Sequence, residues 1–153
     1  MNMKCLSLFA VLLFAIAVYA EPPQYMRDQS GKLSGSATVN GNITTYRDAS
    51  GRLSGTSNTQ GNRTTFRDSS GRMSGSATTQ GNRTTYRDSS GRLAGTSEVN
   101  GNRTFYRDGS GKMIGTADVS GNRTTFRDAS GRTIGTTQNS NPATAAPKFF
   151  YQK

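Results

Sequence analysis

The chain has 153 residues, 31% of them hydrophobic, with 19 lysines and arginines against nine acids, a formal charge of +10, no histidine, no tryptophan and one cysteine. That cysteine is Cys5, so nothing downstream can form an intrachain disulfide. The usual histidine and cysteine proton shuttles and nucleophiles are missing as well, and the composition reads as non-enzymatic.

The first element is a targeting segment. In MNMKCLSLFAVLLFAIAVYA, Lys4 supplies a positive start and residues 6–18 form an apolar run broken only by Ser7. Val18 and Ala20 place small residues at the −3 and −1 positions before Glu21. This is the pattern of a secretory signal peptide over residues 1–20. The apolar run is short for a bilayer span of about 20 residues, so the expectation is cleavage, leaving no transmembrane span and sending the chain to the periplasm or the medium. Residues 21–153 then carry eighteen basic residues against nine acids, a charge of +9.

Residues 21–138 read as one domain of six repeats. Arg-Asp recurs at 27–28, 47–48, 67–68, 87–88, 107–108 and 127–128, a period of twenty without insertion or deletion. Each pair opens R-D-x-S-G-[RK], and a further glycine follows at 35, 55, 75, 95, 115 and 135. Between copies stands Gly-Asn-x-Thr, beginning at 41, 61, 81, 101 and 121. Both constant elements are turn signals. D-A-S-G (48–51) fits a type I turn with a left-handed glycine, and N-G (40–41) or Q-G (60–61) fits a tight primed turn. The segments between them are short, proline-free and rich in Thr, Tyr, Phe and Leu. The prediction is an all-β domain of twelve antiparallel strands.

Strand alternation assigns faces. Phe66 shares a face with Thr64, and Met73 with Gly75 and Ala77. A four-residue loop over 68–71 sets Phe66 opposite Met73, and the equivalent pairs are Tyr46/Leu53, Tyr86/Leu93, Tyr106/Met113 and Phe126/Thr133. Tyr46, Phe66, Tyr86, Tyr106 and Phe126, with Leu53, Met73, Leu93 and Met113, are therefore the expected lining of the core or of a central funnel. A bulged three-residue loop is the alternative; it pairs Asp68 with Arg72 and sets Phe66 opposite Ser74. The first register is preferred because it joins apolar side chains.

Leu, Ile, Val and Phe number only fourteen in residues 21–153, a composition that by itself argues for disorder. Turn chemistry and aromatics recurring in phase six times argue for order. A lone hairpin is marginal, so the copies must pair sideways. They form either an open hairpin stack or a closed ring, and closure removes exposed edges. Twelve strands about 4.8 Å apart give a ring on the order of 20–25 Å across, with room for a shallow funnel.

GNRTTYRDSSGRLAGT (81–96) carries a resemblance. The run G-N-x-T-T-Y…D-x-x-G-R-L is similar to the YD repeat of Rhs-type secreted proteins, whose many less regular hairpins build shells around toxins. Six copies cannot enclose a domain. In size, secretion and strict short period the chain more closely resembles the bacterial β-flower proteins, shallow symmetric barrels of hairpin petals. The resemblance covers about residues 24–138 and implies a small closed barrel; neither family supplies a catalytic motif to carry over.

The remaining signals concern ligands. Arg63, Arg83, Arg103 and Arg123 hold the position after Gly-Asn, where the first copy has Ile43; arginines 27 to 127 form a second array, and Arg52, Arg72, Arg92 and Arg132 with Lys32 and Lys112 a third. Repeated positive charge concentrates anions. The first set, or alternatively the central funnel, is the candidate site for anionic lipid, lipopolysaccharide or an acidic glycan; nucleic acid is disfavoured because the aromatics point inward. A structural repeat protein without a small ligand is the alternative. Each repeat aspartate reads as a turn former, and one carboxylate followed by a cation is unlike a calcium loop, so no catalytic residue, metal or cofactor is expected. The paired threonines could order water, but are good strand formers first. The five Asn-x-Thr triplets match glycosylation acceptors, or simply turn chemistry. Residues 139–153 read as a flexible tail of linker composition ending in FFYQK.

Overall fold

The computed structural model describes residues 21–138; the signal segment and the tail lie outside the described residues. The chain forms twelve strands: β1 (Gln24–Asp28), β2 (Leu33–Asn40), β3 (Ile43–Asp48), β4 (Leu53–Gln60), β5 (Arg63–Asp68), β6 (Met73–Gln80), β7 (Arg83–Asp88), β8 (Leu93–Asn100), β9 (Arg103–Asp108), β10 (Met113–Ser120), β11 (Arg123–Asp128) and β12 (Thr133–Gln138). Each pairs antiparallel with its neighbours in sequence. The ring closes where β1 meets β12, with Met26 opposite Thr137, Arg27 opposite Thr136 and Asp28 opposite Gly135. Closure rules out the open stack and leaves no strand edge to pair with another chain.

Two kinds of turn build the two ends. At one end six loops follow the aspartates. In the β5–β6 loop the Gly71 amide donates to the Asp68 carbonyl at 3.0 Å and the Asp68 amide to the Arg72 carbonyl at 2.9 Å. Gly71 has φ +80°, which closes a three-residue loop of a type I turn plus a left-handed residue. The aspartate side chain fastens it: Asp128 Oδ1 accepts from the Ser130 amide and hydroxyl and from the Arg132 amide. The preceding arginine closes the outside, as Arg67 Nη1 donates to the Gly71 carbonyl at 2.8 Å, and the same contact recurs from Arg27 to Arg127. At the other end the tight turns place Gly-Asn, rather than the expected Asn-Gly, at the two central positions: Asn40 already pairs with Ile43. Asn82 then locks its turn to the next strand, its carbonyl accepting from the Val99 amide at 2.9 Å and its side-chain amide donating to the Val99 carbonyl at 3.2 Å.

These loops predict a fold that loses stability in acid. Hydroxyl donation from the following serine is the main cause holding Asp28, Asp48, Asp88 and Asp108 below the usual carboxylate range. Asp128, which also receives Arg132 Nε at 2.9 Å, is drawn down to about 2. A carboxyl whose pKa is depressed on folding stabilises the fold fully above its unfolded value, about 4, and loses that contribution as pH falls through the folded value. The melting temperature is expected to drop between about pH 4 and pH 2. A variant with these five aspartates replaced by asparagine, which keeps the turn-forming oxygen, should flatten that drop. An equally steep drop in the variant contradicts the assignment.

The expected hairpin registers are both corrected. Arg67 pairs with Met73, Phe66 with Gly75, and Ser74 is an extra residue between them. The same one-residue bulge recurs in all six loop hairpins. The three-residue loop and the Asp68–Arg72 pairing are present, but the bulge moves Gly75, not Ser74 or Met73, opposite Phe66. One extra residue inverts the facing of everything on the loop side of it. Leu53, Met73 and Leu93 therefore point outward, 42%, 40% and 45% exposed, and Met113 sits half-buried opposite Arg107. The expectation that these four line the core is overturned. In the last three copies the bulged residue takes the vacated role, Ala94, Ile114 and Ile134 packing against the buried cluster, whereas Ser34 and Ser54 are exposed.

The interior alternates large and small. Tyr86 on β7 lies between Ala77 on β6 and Gly95 on β8, and the other copies repeat this order. Six bulky residues on six strands can share a narrow barrel only because the strands between carry glycine and a small residue. Phe66, Tyr86, Tyr106 and Phe126 are buried with Ala77 and Ala117 in one cluster, whereas Tyr46 is half-buried. A hydroxyl eleven residues on meets two of the three inward tyrosines: Tyr46 Oη lies 3.2 Å from Ser57 Oγ and Tyr86 Oη 3.1 Å from Ser97 Oγ, while Tyr106 has Ala117 at that spacing. Phe66 has Ala77 at that spacing. Burial, partly offset by these contacts, raises the Tyr46 and Tyr86 phenols above their ordinary range and keeps them neutral.

Candidate functional site

The funnel and the arginines, joined as alternatives by the sequence, separate in space. A cavity of about 590 Å³ opens at the Gly-Asn end. Its floor includes Tyr46, Phe66 and Tyr86, and its wall is a ring of threonines, among them Thr44, Thr64 and Thr84. Two strand-crossing hydroxyl pairs line the mouth, Thr59 with Thr64 at 2.9 Å and Thr79 with Thr84 at 3.0 Å. No lysine or arginine is among its lining residues, and Glu21 stands at the rim. Of the aromatics expected in the core or the funnel, Tyr106 and Phe126 are 1% exposed and belong to the packed core. The funnel is therefore neutral to acidic and hydroxyl-rich, and its lining includes no cation to attract an anion.

Arg63, Arg83, Arg103 and Arg123 all open their strands on the outer wall, and all four are exposed. Strand alternation puts Arg63, Thr65 and Arg67 on that face, so each such arginine shares a furrow with the loop-clasping arginine four residues on. The β4–β5 furrow, about 330 Å³, is lined by Asn58, Gln60, Arg63, Thr65 and Arg67. The β6–β7 furrow, about 300 Å³, repeats it with Thr78, Gln80, Arg83, Thr85 and Arg87. Each offers two guanidinium groups, an amide and a hydroxyl with no carboxylate in its lining, a donor set suited to phosphate, sulfate or carboxylate groups.

The other three copies of the furrow differ. On β2–β3, Ile43 replaces the first arginine. On β8–β9, Glu98 stands opposite Phe105 at the position where β4–β5 has Asn58 opposite Thr65. On β10–β11 the matching residue is Asp118, which ion-pairs with Arg103 across β9–β10 and reaches Arg127 Nε at 3.5 Å. The four candidate arginines are thus not equivalent. Arg63 faces Gln60 and Thr78 across its two neighbouring strands; Arg83 faces Gln80 and Glu98. The sequence reading missed this because it counted arginines along one strand; the discriminating signal is the residue paired across the hairpin.

The repeat aspartates are consumed by the loops, and among the described residues no group of three or more acids, histidines or cysteines is placed to hold a metal. A scan against protein-family models and a search of curated proteins give no match to this chain.

Proposed function

We propose that this is an exported, non-enzymatic binding module for an anionic envelope or extracellular ligand, held on the outer wall of β4–β7. One observation carries the reading: only these two of the five furrows set two arginines against a hairpin partner strand that carries no acid, although Arg83 also faces Glu98 across β7–β8. Across the described residues the charge is also uneven. The loop end, with twelve cations and six aspartates, holds +6, and Arg63, Arg83, Arg103 and Arg123 with Glu21, Glu98 and Asp118 hold +1. Clustered charge of one sign attracts polyanions and speeds their encounter. The outer wall carries Arg, Thr, Asn and Gln along its length, which suits a barrel bathed in water rather than one that spans lipid.

The test is salt elution from immobilised heparin, used as an acidic glycan probe. Replacing Arg63 and Arg83 by glutamine should weaken retention by about three- to tenfold at fixed salt, the scale expected for two exposed charge contacts. Replacing Arg103 and Arg123 should do less, because Asp118 ion-pairs with Arg103 and reaches Arg127 beside Arg123, whereas Glu98 opposite Arg83 makes no ion pair among the described residues. Equal losses from both pairs would reduce the effect to net charge and overturn the furrow reading. The alternative, a structural repeat protein, is less suited to a closed barrel without free edges; concentration-dependent oligomers without polyanion retention would favour it.

A further inference from the structure

The position after the loop arginine or lysine is aliphatic in five of six repeats: Leu33, Leu53, Met73, Leu93 and Met113, with Thr133 in the sixth. The bulge turns this position outward, where the core has no use for it. On β4, β6 and β8 it is 40–45% exposed, at the same level of three consecutive hairpins. Those three side chains sit about 10 Å apart, two strand spacings each. Each lies beside a cation on both sides: Arg47 opposite Leu53, Arg67 opposite Met73 and Arg87 opposite Leu93, with Arg52, Arg72 and Arg92 immediately before them in the chain. The belt thus borders the two arginine furrows and occupies the end that carries most of the net charge.

Solvent-facing aliphatics set in a cationic field fit one occupant better than a soluble polyanion does. A glycan or free phosphate rewards the arginines only. An anionic bilayer rewards both, since phosphates reach the guanidinium groups while the aliphatic side chains enter the headgroup–acyl boundary. Resting on the anion-binding reading above, we infer that the barrel docks on the surface of anionic lipid with the loop end of β4–β8, the furrows taking headgroup phosphates and Leu53, Met73 and Leu93 inserting shallowly. The funnel, at the opposite end, then faces away from the membrane.

Sedimentation of residues 21–153 with vesicles tests this. Vesicles of phosphatidylglycerol and phosphatidylcholine should carry the protein down, and phosphatidylcholine alone should not. The triple variant L53S/M73S/L93S should lose at least about tenfold in partitioning, because apolar insertion and charge attraction add. Its melting temperature and heparin retention should remain those of the parent, since the three side chains are outside the core. Three results would count against the inference. If the triple variant binds vesicles like the parent, the aliphatic belt has no part in docking. If the parent is retained on heparin but ignores phosphatidylglycerol vesicles, the lipid proposal falls and the anion reading survives. If it ignores both, the two fall together.

Discussion

Replacing Phe126 by alanine should destabilise the barrel by about 3–5 kcal/mol, the range for truncating a fully buried aromatic. Phe126 is 1% exposed and meets Tyr106, Tyr86 and Ala117 in a single cluster. The chain has few large apolar residues to compensate, and a domain of this kind has only about 5–15 kcal/mol of stability in total. In urea, where a slope of about 1–3 kcal/mol/M is usual, the midpoint should fall by a molar or more. Leu93, which alternation alone would place inside, is the matched control. Being 45% exposed, its alanine variant should cost about 0.5 kcal/mol or less. Equal costs at the two positions would mean that the bulge, and with it the outward belt, is wrongly placed.

The second large effect is expected at Gly55. This glycine is inward-facing beside the bulge, between Tyr46 on β3 and Asp68 on β5. A Cβ built there comes within 2.5 Å of the Arg67 carbonyl oxygen and 3.7 Å of the Asp68 Cα. These are backbone atoms of the neighbouring hairpin, so no side-chain rotation relieves the clash and the strands must part. Gly55→Ala should cost about 1–3 kcal/mol or somewhat more, read as a loss of several degrees in melting temperature by circular dichroism. Gly35 stands against the Arg47 carbonyl at the same 2.5 Å, so Gly35→Ala should behave alike. A melting temperature unchanged by both would show that the hairpins are not in the close register described.

These two predictions also mark how far the sequence could be read. Period, strand number and the aspartate loops were legible because each repeat writes them in Asp-x-Ser-Gly, residues with few other conformational uses. The tight turns lie one residue later than expected, on Gly-Asn instead of Asn-Gly, and in the sequence closure is favoured over an open stack only because it removes exposed edges. The inward aromatics were legible from alternation within β3, β5, β7, β9 and β11, which run without interruption. Alternation failed across the bulge. It cannot register one unpaired residue, and joining Phe66 to Met73 was an attractive apolar match. A signal was present nonetheless: the residue before the inner glycine changes from Ser34, Ser54 and Ser74 to Ala94, Ile114 and Ile134, an odd choice for a solvent face and a reasonable one for a bulge turned inward. In the middle repeats the residue eleven positions on follows the aromatic, serine after Tyr46 and Tyr86 and alanine after Phe66; the rule lapses at Tyr106, which has Ala117, and at Phe126. Thr137 shows what happens where it lapses: at that spacing from Phe126 it has no phenol, and its buried Oγ1 has no hydrogen-bond partner among the described residues.

Of the candidate site, the arginine positions were legible but their ranking was not. Arg63 and Arg103 occupy the same place in their repeats, and only the cross-strand partner separates them, Thr78 in one case and Asp118 in the other. Such pairings depend on register, which the bulge had shifted. Exposed ion pairs contribute little to stability, so the Arg103–Asp118 pair matters chiefly because it removes a cation from the surface available to a ligand.

The barrel depends most on the seam that turns six hairpins into a ring. Nuclear Overhauser contacts between the backbone protons of residues 26–28 and 135–137 of residues 21–153 test it directly. A closed barrel gives cross-strand contacts for Met26 with Thr137, Arg27 with Thr136 and Asp28 with Gly135, as strong as those inside any hairpin. If contacts within the hairpins are intact and the seam is silent, the hairpins form an open stack, and the inward ring, the funnel and the one-sided outer face lose their geometry together.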